Sequence, residues 1–430
     1  MKSLLNLAIG TKTRKWLVWA LRIIVGATFI MSGFVKSIDL WGFTFKIEEY
    51  FQAWNLEMPF SLYMMSAMAV SVGEFMLGAM LFVGSYRRSV TWLLLAVMAV
   101  MLPLTLYIYM VAPVADCGCF GDFWVISNGA TFIKNIFLTA AVVCLIVYNK
   151  DVKGLYIPYL QWIPAVACGV YIIAVGLYGY NVQPLLDFRS FPVGTDLANG
   201  NAEIEDEAAF EFIYEKNGRQ ETFSDKELPD STWTFVDRKL VSGSIENRTE
   251  LTVYDGGTDV TSDVISDEGP QMLIVVPDRR RVNISYTYSI NELQYCMDSI
   301  GGSLVEIAAM PEEDIARWRD LSMATYPIYQ AEPTVLKELA RGVAAAVYLK
   351  DGKILWKRSL PSIDVDRIRN AKDSRASLEN IGSSDARLLG YATLILLGIL
   401  VLILLAENIP FMSRLILKMS SKNRQTEKNE

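Results

Sequence analysis

The stretch FSLYMMSAMAVSVGEFMLGAMLFVG (60–84) carries a single charged side chain, Glu74, in 25 residues. Wound as a helix at about 1.5 Å per residue it exceeds the roughly 30 Å hydrocarbon thickness of a bilayer, so the spacing predicts a membrane crossing. Five more runs read the same way: 16–35, 90–114, 130–148, 156–180 and 388–406. Trp16, Trp92, Trp124 and Trp162 cluster near the run ends, where amphipathic rings anchor at the interface. The chain is 52% hydrophobic with a mean hydropathy of +0.28, which sets it among membrane proteins. The start, MKSLLNLAIGTKTRK, is basic, but the run after it is long and lacks a small-residue cleavage site. It reads as a retained helix rather than a signal peptide.

Charge is divided unevenly around these runs. Residues 181–388 hold 23 basic and 36 acidic groups, a net of −13, and the remainder carries a net of +6. An acidic soluble part repels phosphate, so nucleic acid is excluded as a partner. Basic residues fall in the N-terminal stretch, SYRRS (85–89), NKDVKG (149–154) and the tail 409–430. Six crossings place all of these on one side, the cytoplasm. Loops 36–59 and 115–129 and the soluble part 181–387 then face outward.

The soluble part opens with a β-rich region, 182–270, containing hairpin signals at Asn217-Gly218 and Asp255-Gly256. From 271 to 380 strands alternate with helices. QMLIVVP is a buried strand; SINELQYCMDSI is a helix with Ser289 as N-cap and Glu292 three residues on. SLVEIAAM is a second strand, followed by a helix opened by Pro311 and acidic residues, and a further helix, PTVLKELARG. AAAVYLKDGKILWKRSL forms a hairpin at Asp351-Gly352, and PSIDVDRIRN a last helix.

The chain has no histidine and five cysteines. Without histidine, zinc-hydrolase, His-ligated haem and Ser-His or Cys-His nucleophile chemistries have no ligand or base. Chemistry concentrates in ADCGCFGDFW (115–124), where Cys117 and Cys119 flank Gly118 between Asp116 and Asp122. A disulfide across one residue closes a small ring, which demands a bend that Gly118 can supply. So short a closure removes little loop entropy, so the bond would be a poor staple and a plausible exchangeable one. The two aspartates push thiol pKa values up, whereas Lys134 could offset them and support a thiolate. Copper(I) is a lesser alternative and an incidental helix-capping turn the bland one; the reading adopted holds no metal. Cys144, Cys168 and Cys296 read as small buried residues. Within the membrane, Arg22 and Glu74 are expected to pair, since lone charges in hydrocarbon are costly. Lys36, Asp39 and Lys134 are expected at the outer rim near the cysteines.

Residues 1–150 resemble the DoxX/MauE family of four-helix bacterial membrane proteins. Arg22 with MSGFVKSID (31–39), GEFMLGAMLFVGSYRR (73–88), DCGCFGD and ATFIKNIFL (130–138) carry the resemblance, and CGCFGD with the Lys-Asn of the next helix points to the MauE-like branch. Residues 271–380 resemble a degenerate thioredoxin-like domain through ARGVAAAVYLKDGKILWKRS (340–359). The redox CxxC expected after the first strand is missing from VVPDRRRVNIS, and Ala344 stands at the cis-proline position. The expected architecture is therefore a four-helix bundle, a fifth helix (151–181), a thioredoxin-like periplasmic domain, a sixth helix (387–408) and a basic cytoplasmic tail (409–430).

Two functions fit. In the first, the outward Cys-Gly-Cys pair exchanges electrons with a periplasmic partner protein or a quinone; the resemblance implies a supporting role in maturing or reducing exported proteins. In the second, the cysteine-poor outer domain docks a client and the protein is a non-enzymatic assembly subunit. A transporter is disfavoured, because Pro103 is the lone break in the midplane of the runs.

Overall fold

The computed structural model describes residues 11–114, 116–152, 154–199, 209–216, 219–224, 234–242, 250–382 and 385–408. The basic tail and the turn residues Asn217 and Gly218 lie outside them. The chain forms two compact units, one of Met1–Tyr180, Pro184–Leu186 and Ser384–Glu430, the other of Asn181–Gln183 and Asp187–Ser383.

The first unit is helical: α1 (Thr11–Ile38), α2 (Leu40–Ala53), α3 (Phe60–Val83), α4 (Arg87–Val111), α5 (Asn128–Val147), α6 (Trp162–Asn181) and a C-terminal helix (Asp385–Asn408). Among the described residues, six of the helices are long and apolar enough to cross a membrane, α2 being the exception. The fifth of these begins at Trp162 rather than 156, since Pro158 and Pro164 confine the regular helix to the stretch that follows YIPYLQ. The chain is thus a membrane protein. Helix α2 was not anticipated; it occupies much of what reads in sequence as the loop 36–59. Asp39 starts it by accepting from the Gly42 N–H at 2.9 Å. Trp41 of α2 stacks on Tyr180 and donates its indole N–H to that residue's carbonyl.

Helices α1 and α3 pack backbone to backbone. A Cβ on Gly33 would stand 2.3 Å from the Phe75 nitrogen, and one on Gly78 would stand 2.5 Å from the Ile30 nitrogen. Small residues permit the close approach on which membrane helix pairs depend. The C-terminal helix joins the bundle through Tyr171, whose hydroxyl meets Thr393 Oγ1 at 2.9 Å, and through Tyr156, which donates to the Leu400 carbonyl.

The second unit holds two sheets. Strands β1 (Ala209–Lys216), β2 (Arg219–Ser224) and β3 (Thr234–Ser242) form an antiparallel sheet in the order β2-β1-β3. Next come β4 (Tyr254–Asp255), β5 (Thr258–Asp259), α7 (Thr261–Val264), β6 (Pro270–Val276), α8 (Tyr286–Ser299), β7 (Ser303–Ala308), α9 (Glu312–Ser322) and β8 (Ile328–Gln330). The unit ends with α10 (Pro333–Leu339), β9 (Ala345–Lys350), β10 (Lys353–Ser359), α11 (Val365–Arg369) and α12 (Ser374–Glu379). The larger sheet runs β10-β9-β6-β7-β8-β4-β5, with β6, β7 and β8 parallel and β9 antiparallel to β6. Alternation along each strand sends Met272, Ile274 and Leu304 to one face, against α8, α9 and α11. Leu273, Val275 and Val305 go to the other, against α10.

Two local expectations shift. The β4–β5 turn is Gly256-Gly257, both at positive φ, one residue later than Asp255-Gly256. Helix α8 is capped at Ser285 rather than Ser289, because the helix starts a turn earlier, and Glu292 instead pairs with Arg369 at 2.9 Å. The Asp351-Gly352 turn forms where expected, with both residues at positive φ as a type I′ hairpin requires.

Candidate functional site

The loop between α4 and α5 is held from beneath and from the side. Gly118 adopts φ +63, the left-handed conformation that lets the two cysteine side chains converge. The sulfurs of Cys117 and Cys119 lie 3.0 Å apart and both residues are free thiols. An S–S bond would need a further approach of about 1 Å.

Three elements fix the loop. From α2, Lys46 reaches Asp116 at 3.1 Å, and Tyr50 donates to the Cys117 carbonyl at 3.0 Å. Lys46, Glu49 and Tyr50 stand at i, i+3 and i+4 and so share a helix face, with Glu49 3.0 Å from the ammonium. From α1, Ser32 Oγ lies 2.7 Å from the Cys119 carbonyl. From α5, the Lys134 ammonium sits 4.5 Å from the centre of the Phe120 ring. Asp116 also accepts from the Gly118 N–H at 2.7 Å, which tightens the turn. Asp122 falls in the short turn Gly121–Phe123 and is exposed.

The electrostatics separate the two thiols. The hydrogen bond from Cys117 draws Cys119 down to about 6 against the burial that pushes it up, and the positive charges of Lys134 and Lys36 act in the same lowering direction. Cys117 goes up, through that same hydrogen bond and through burial. Burial likewise raises the Tyr50 phenol, keeping it a donor. For Lys46, burial opposes the charge, but Asp116 and Glu49 outweigh it and hold its pKa above the usual value. The surroundings thus favour the thiolate form at Cys119 and the thiol form at Cys117. A shallow cleft, open to solvent, runs along the loop past Cys119, Phe120, Trp124 and Thr131.

The expected pairing of Arg22 with Glu74 is wrong. Arg22 donates from Nε to the Leu81 carbonyl at 2.9 Å and from Nη2 to the Phe82 carbonyl at 2.7 Å. These belong to the last turn of α3, whose dipole favours a cation; the Leu81 carbonyl also accepts from the Gly84 N–H at the C-cap. Glu74 binds Lys36 at 2.7 Å and accepts from Ser32 at 2.8 Å. The reason is register. Antiparallel packing of α1 on α3 sets Glu74 across from Ser32, ten residues beyond Arg22 in α1, or about 15 Å. Lys36 is accordingly a buried partner rather than a rim residue, 3% exposed.

Sequence reading thus found Cys117, Gly118, Cys119, Asp116 and Lys134 in one place and missed Ser32, Lys46 and Tyr50. The i, i+4 spacing of Lys46 and Tyr50 carried a signal, obscured by taking 36–59 as loop. Cys144 and Cys168 line apolar helices of the bundle, and Cys296 sits in the core of the second unit, 2% exposed.

No curated protein and no solved structure matches the chain. Residues 208–242, which span β1 to β3, match a family model described as a domain of unknown function, DUF8463. Residues 14–148, from α1 through α5 and including the Cys-Gly-Cys loop, match the family model of methylamine utilisation protein MauE, and this part of the chain is similar to that family.

Proposed function

We propose that Cys117 and Cys119 form an exchangeable dithiol–disulfide pair on the periplasmic side of a bacterial inner membrane, serving the maturation of exported proteins. The observation that carries this reading is a sulfur pair at 3.0 Å in which one thiol is drawn down to about 6 and its neighbour is driven up. In the oxidised pair a client thiolate attacks Cys119 Sγ. The Cys117–Cys119 bond breaks, and Cys117 leaves with the electron pair and takes a proton. The client's second thiolate then attacks its own sulfur in the mixed disulfide and expels Cys119, the better leaving group because its thiolate is stabilised. The client gains a disulfide and the pair becomes dithiol. Two electrons and two protons then pass to a second disulfide or to a quinone, either of which is a two-electron, two-proton acceptor. The small ring of a Cys-Gly-Cys disulfide makes the oxidised form the more reactive one and favours this direction. The cleft encloses only about 10 Å³, far below the roughly 300–1,000 Å³ of most small-molecule sites, which favours a protein sulfur as the immediate partner.

The name of the matching family links it to methylamine utilisation, and for this chain supports a role beside a matured protein rather than in turnover. The positive-inside distribution supports cytoplasmic termini and an outward loop. In the second unit the order β6-α8-β7-α9-β8-α10-β9-β10-α11, with β9 antiparallel to β6, supports the thioredoxin-like reading of 271–380. Its first strand leads into Arg279, Arg280 and Arg281 rather than a cysteine pair, which supports a docking role for that unit over a redox one.

The test is trapping. Intact protein with Cys117→Ser should accumulate a mixed disulfide when its Cys119 thiolate attacks a client disulfide, the reverse of the oxidative step, whereas Cys119→Ser should trap far less. Sulfurs that stay unmodified by a maleimide both before and after reduction, or a Cys117→Ser/Cys119→Ser protein that still supports client maturation, would refute redox exchange and leave the assembly role.

A further inference from the structure

The loop rests on a buried charged cluster that thiol exchange alone does not require. Lys36 and Glu74 form an ion pair with side chains 2% and 7% exposed, inside an otherwise apolar helix interface. Lys36 Nζ lies 2.9 and 2.7 Å from the two carboxylate oxygens and donates to Ser32 Oγ at 3.2 Å. Ser32 Oγ lies 2.8 Å from Glu74 and 2.7 Å from the Cys119 carbonyl. A hydroxyl has one proton. Ser32 therefore has two acceptors in reach and can serve one at a time, while it accepts from Lys36. The ammonium is two hydrogen bonds from the Cys119 backbone.

We infer that Lys36, Glu74 and Ser32 are positioning residues that set the reactivity of Cys119 from within the membrane bundle. This inference rests on the redox reading of the pair. Lys36 supplies the positive charge that favours the Cys119 thiolate. Glu74 immobilises Lys36 and limits that effect with its own negative charge. Ser32 ties both to the loop by placing its proton on the Cys119 carbonyl or on Glu74. A lone ion pair of this kind is a weak source of stability, because desolvating two charges offsets their attraction. Its placement under the thiols gives it a chemical consequence that a bundle lock elsewhere would lack. The opposing effects of Lys36 and Glu74 on Cys119 agree with this geometry.

The pH profile of Cys119 alkylation by iodoacetamide tests it, read by mass spectrometry on full-length protein in detergent. Lys36→Met should move the midpoint upward by about one pH unit, the size expected for losing a nearby opposite charge. Glu74→Gln should move it downward, and Ser32→Ala should weaken the response to either change. Because Lys36→Met and Glu74→Gln each leave a buried charge unpaired, Lys36→Met/Glu74→Gln is the folding control. It removes both charges and should leave the midpoint between those of the single variants. Midpoints that coincide with the unmodified protein in all variants overturn the inference while leaving redox exchange standing. If Cys119 in the unmodified protein resists alkylation at every pH, the redox reading itself fails.

Discussion

Replacing Glu306 by Gln should make the second unit more stable at neutral and alkaline pH, and the size of the gain is set by where this carboxyl sits. Glu306 lies in the middle of β7, fully buried, on the sheet face that packs against α8 and α9. One oxygen accepts from the Trp318 indole N–H at 2.7 Å, and the Tyr326 hydroxyl stands beside the carboxyl. Arg279 stacks over the Trp318 ring at 4.0 Å. Burial, only partly opposed by the Trp318 hydrogen bond, raises the carboxyl from the usual 4.5 to about 7. A carboxyl that binds its proton more tightly when folded favours the native state below the unfolded pKa. That contribution is lost as pH rises from 4.5 to 7 and stays lost above. At about 1.4 kcal/mol per pKa unit, the penalty at pH 8 is on the order of 3 kcal/mol. Gln keeps an acceptor for Trp318 and carries no charge, so the variant should recover most of that amount at pH 8 and little at pH 4.5. Hydrogen–deuterium exchange of the 303–308 segment in the intact protein, corrected for intrinsic exchange, measures the protection at each pH. Parallel curves for the two proteins between pH 4.5 and 8 would refute the reasoning, as would a variant that is less stable throughout.

Gly33→Ala should lower the detergent melting temperature, since its methyl would meet the Phe75 backbone at 2.3 Å and cannot be accommodated by a rotamer change. A cost of about 1–3 kcal/mol is expected from overpacking, with loss of the Lys36–Glu74 contact by crosslinking as a second readout. Tyr50→Phe removes the donor to the Cys117 carbonyl and should cost roughly 1 kcal/mol of loop anchoring. Combined with Lys46→Met it should speed deuterium exchange at 116–121 without changing exchange in α4; unchanged exchange in the loop would show that α2 does not hold it. Asp187→Asn leaves Lys357 and Arg189, buried at 2.8 and 2.6 Å from that carboxylate, without their counter-charge. The expected loss is about 3–5 kcal/mol, and Lys357→Met in the same chain should recover part of it in denaturant titration.

The membrane crossings were legible because length and hydropathy report directly on the thickness of the bilayer, and 60–84 could be little else. The strands and helices of 271–370 were legible because β6 is buried on both faces and the helices around it carry clear start signals, such as Pro311 with its acids. The cysteine pair with Gly118 was equally plain, being local in sequence. What escaped was everything decided by register between distant helices. Glu74 chose Lys36 over Arg22 because of how α1 lies against α3, a fact set by Gly33 and Gly78 rather than by charge. Helix α2 escaped because its aromatic-rich run, LWGFTFKIEEYFQA, is shorter than a crossing and mixes polar with apolar residues. With it went Lys46 and Tyr50.

The Cys-Gly-Cys loop also makes a point about diagnosis. Its thiols come from residues 117–119, but the groups that hold the two cysteine carbonyls come from Ser32 and Tyr50. A sequence with CGC alone therefore has the warhead without the mount. The composite pattern of Ser32 with Lys36 four residues on, Lys46 with Tyr50 four residues on, and Glu74 ahead of the cysteines is the more discriminating signature. The order also has a consequence for biogenesis: Ser32 and Tyr50, which hold the two cysteine carbonyls, are synthesised before the sulfurs, whereas Lys134 follows them.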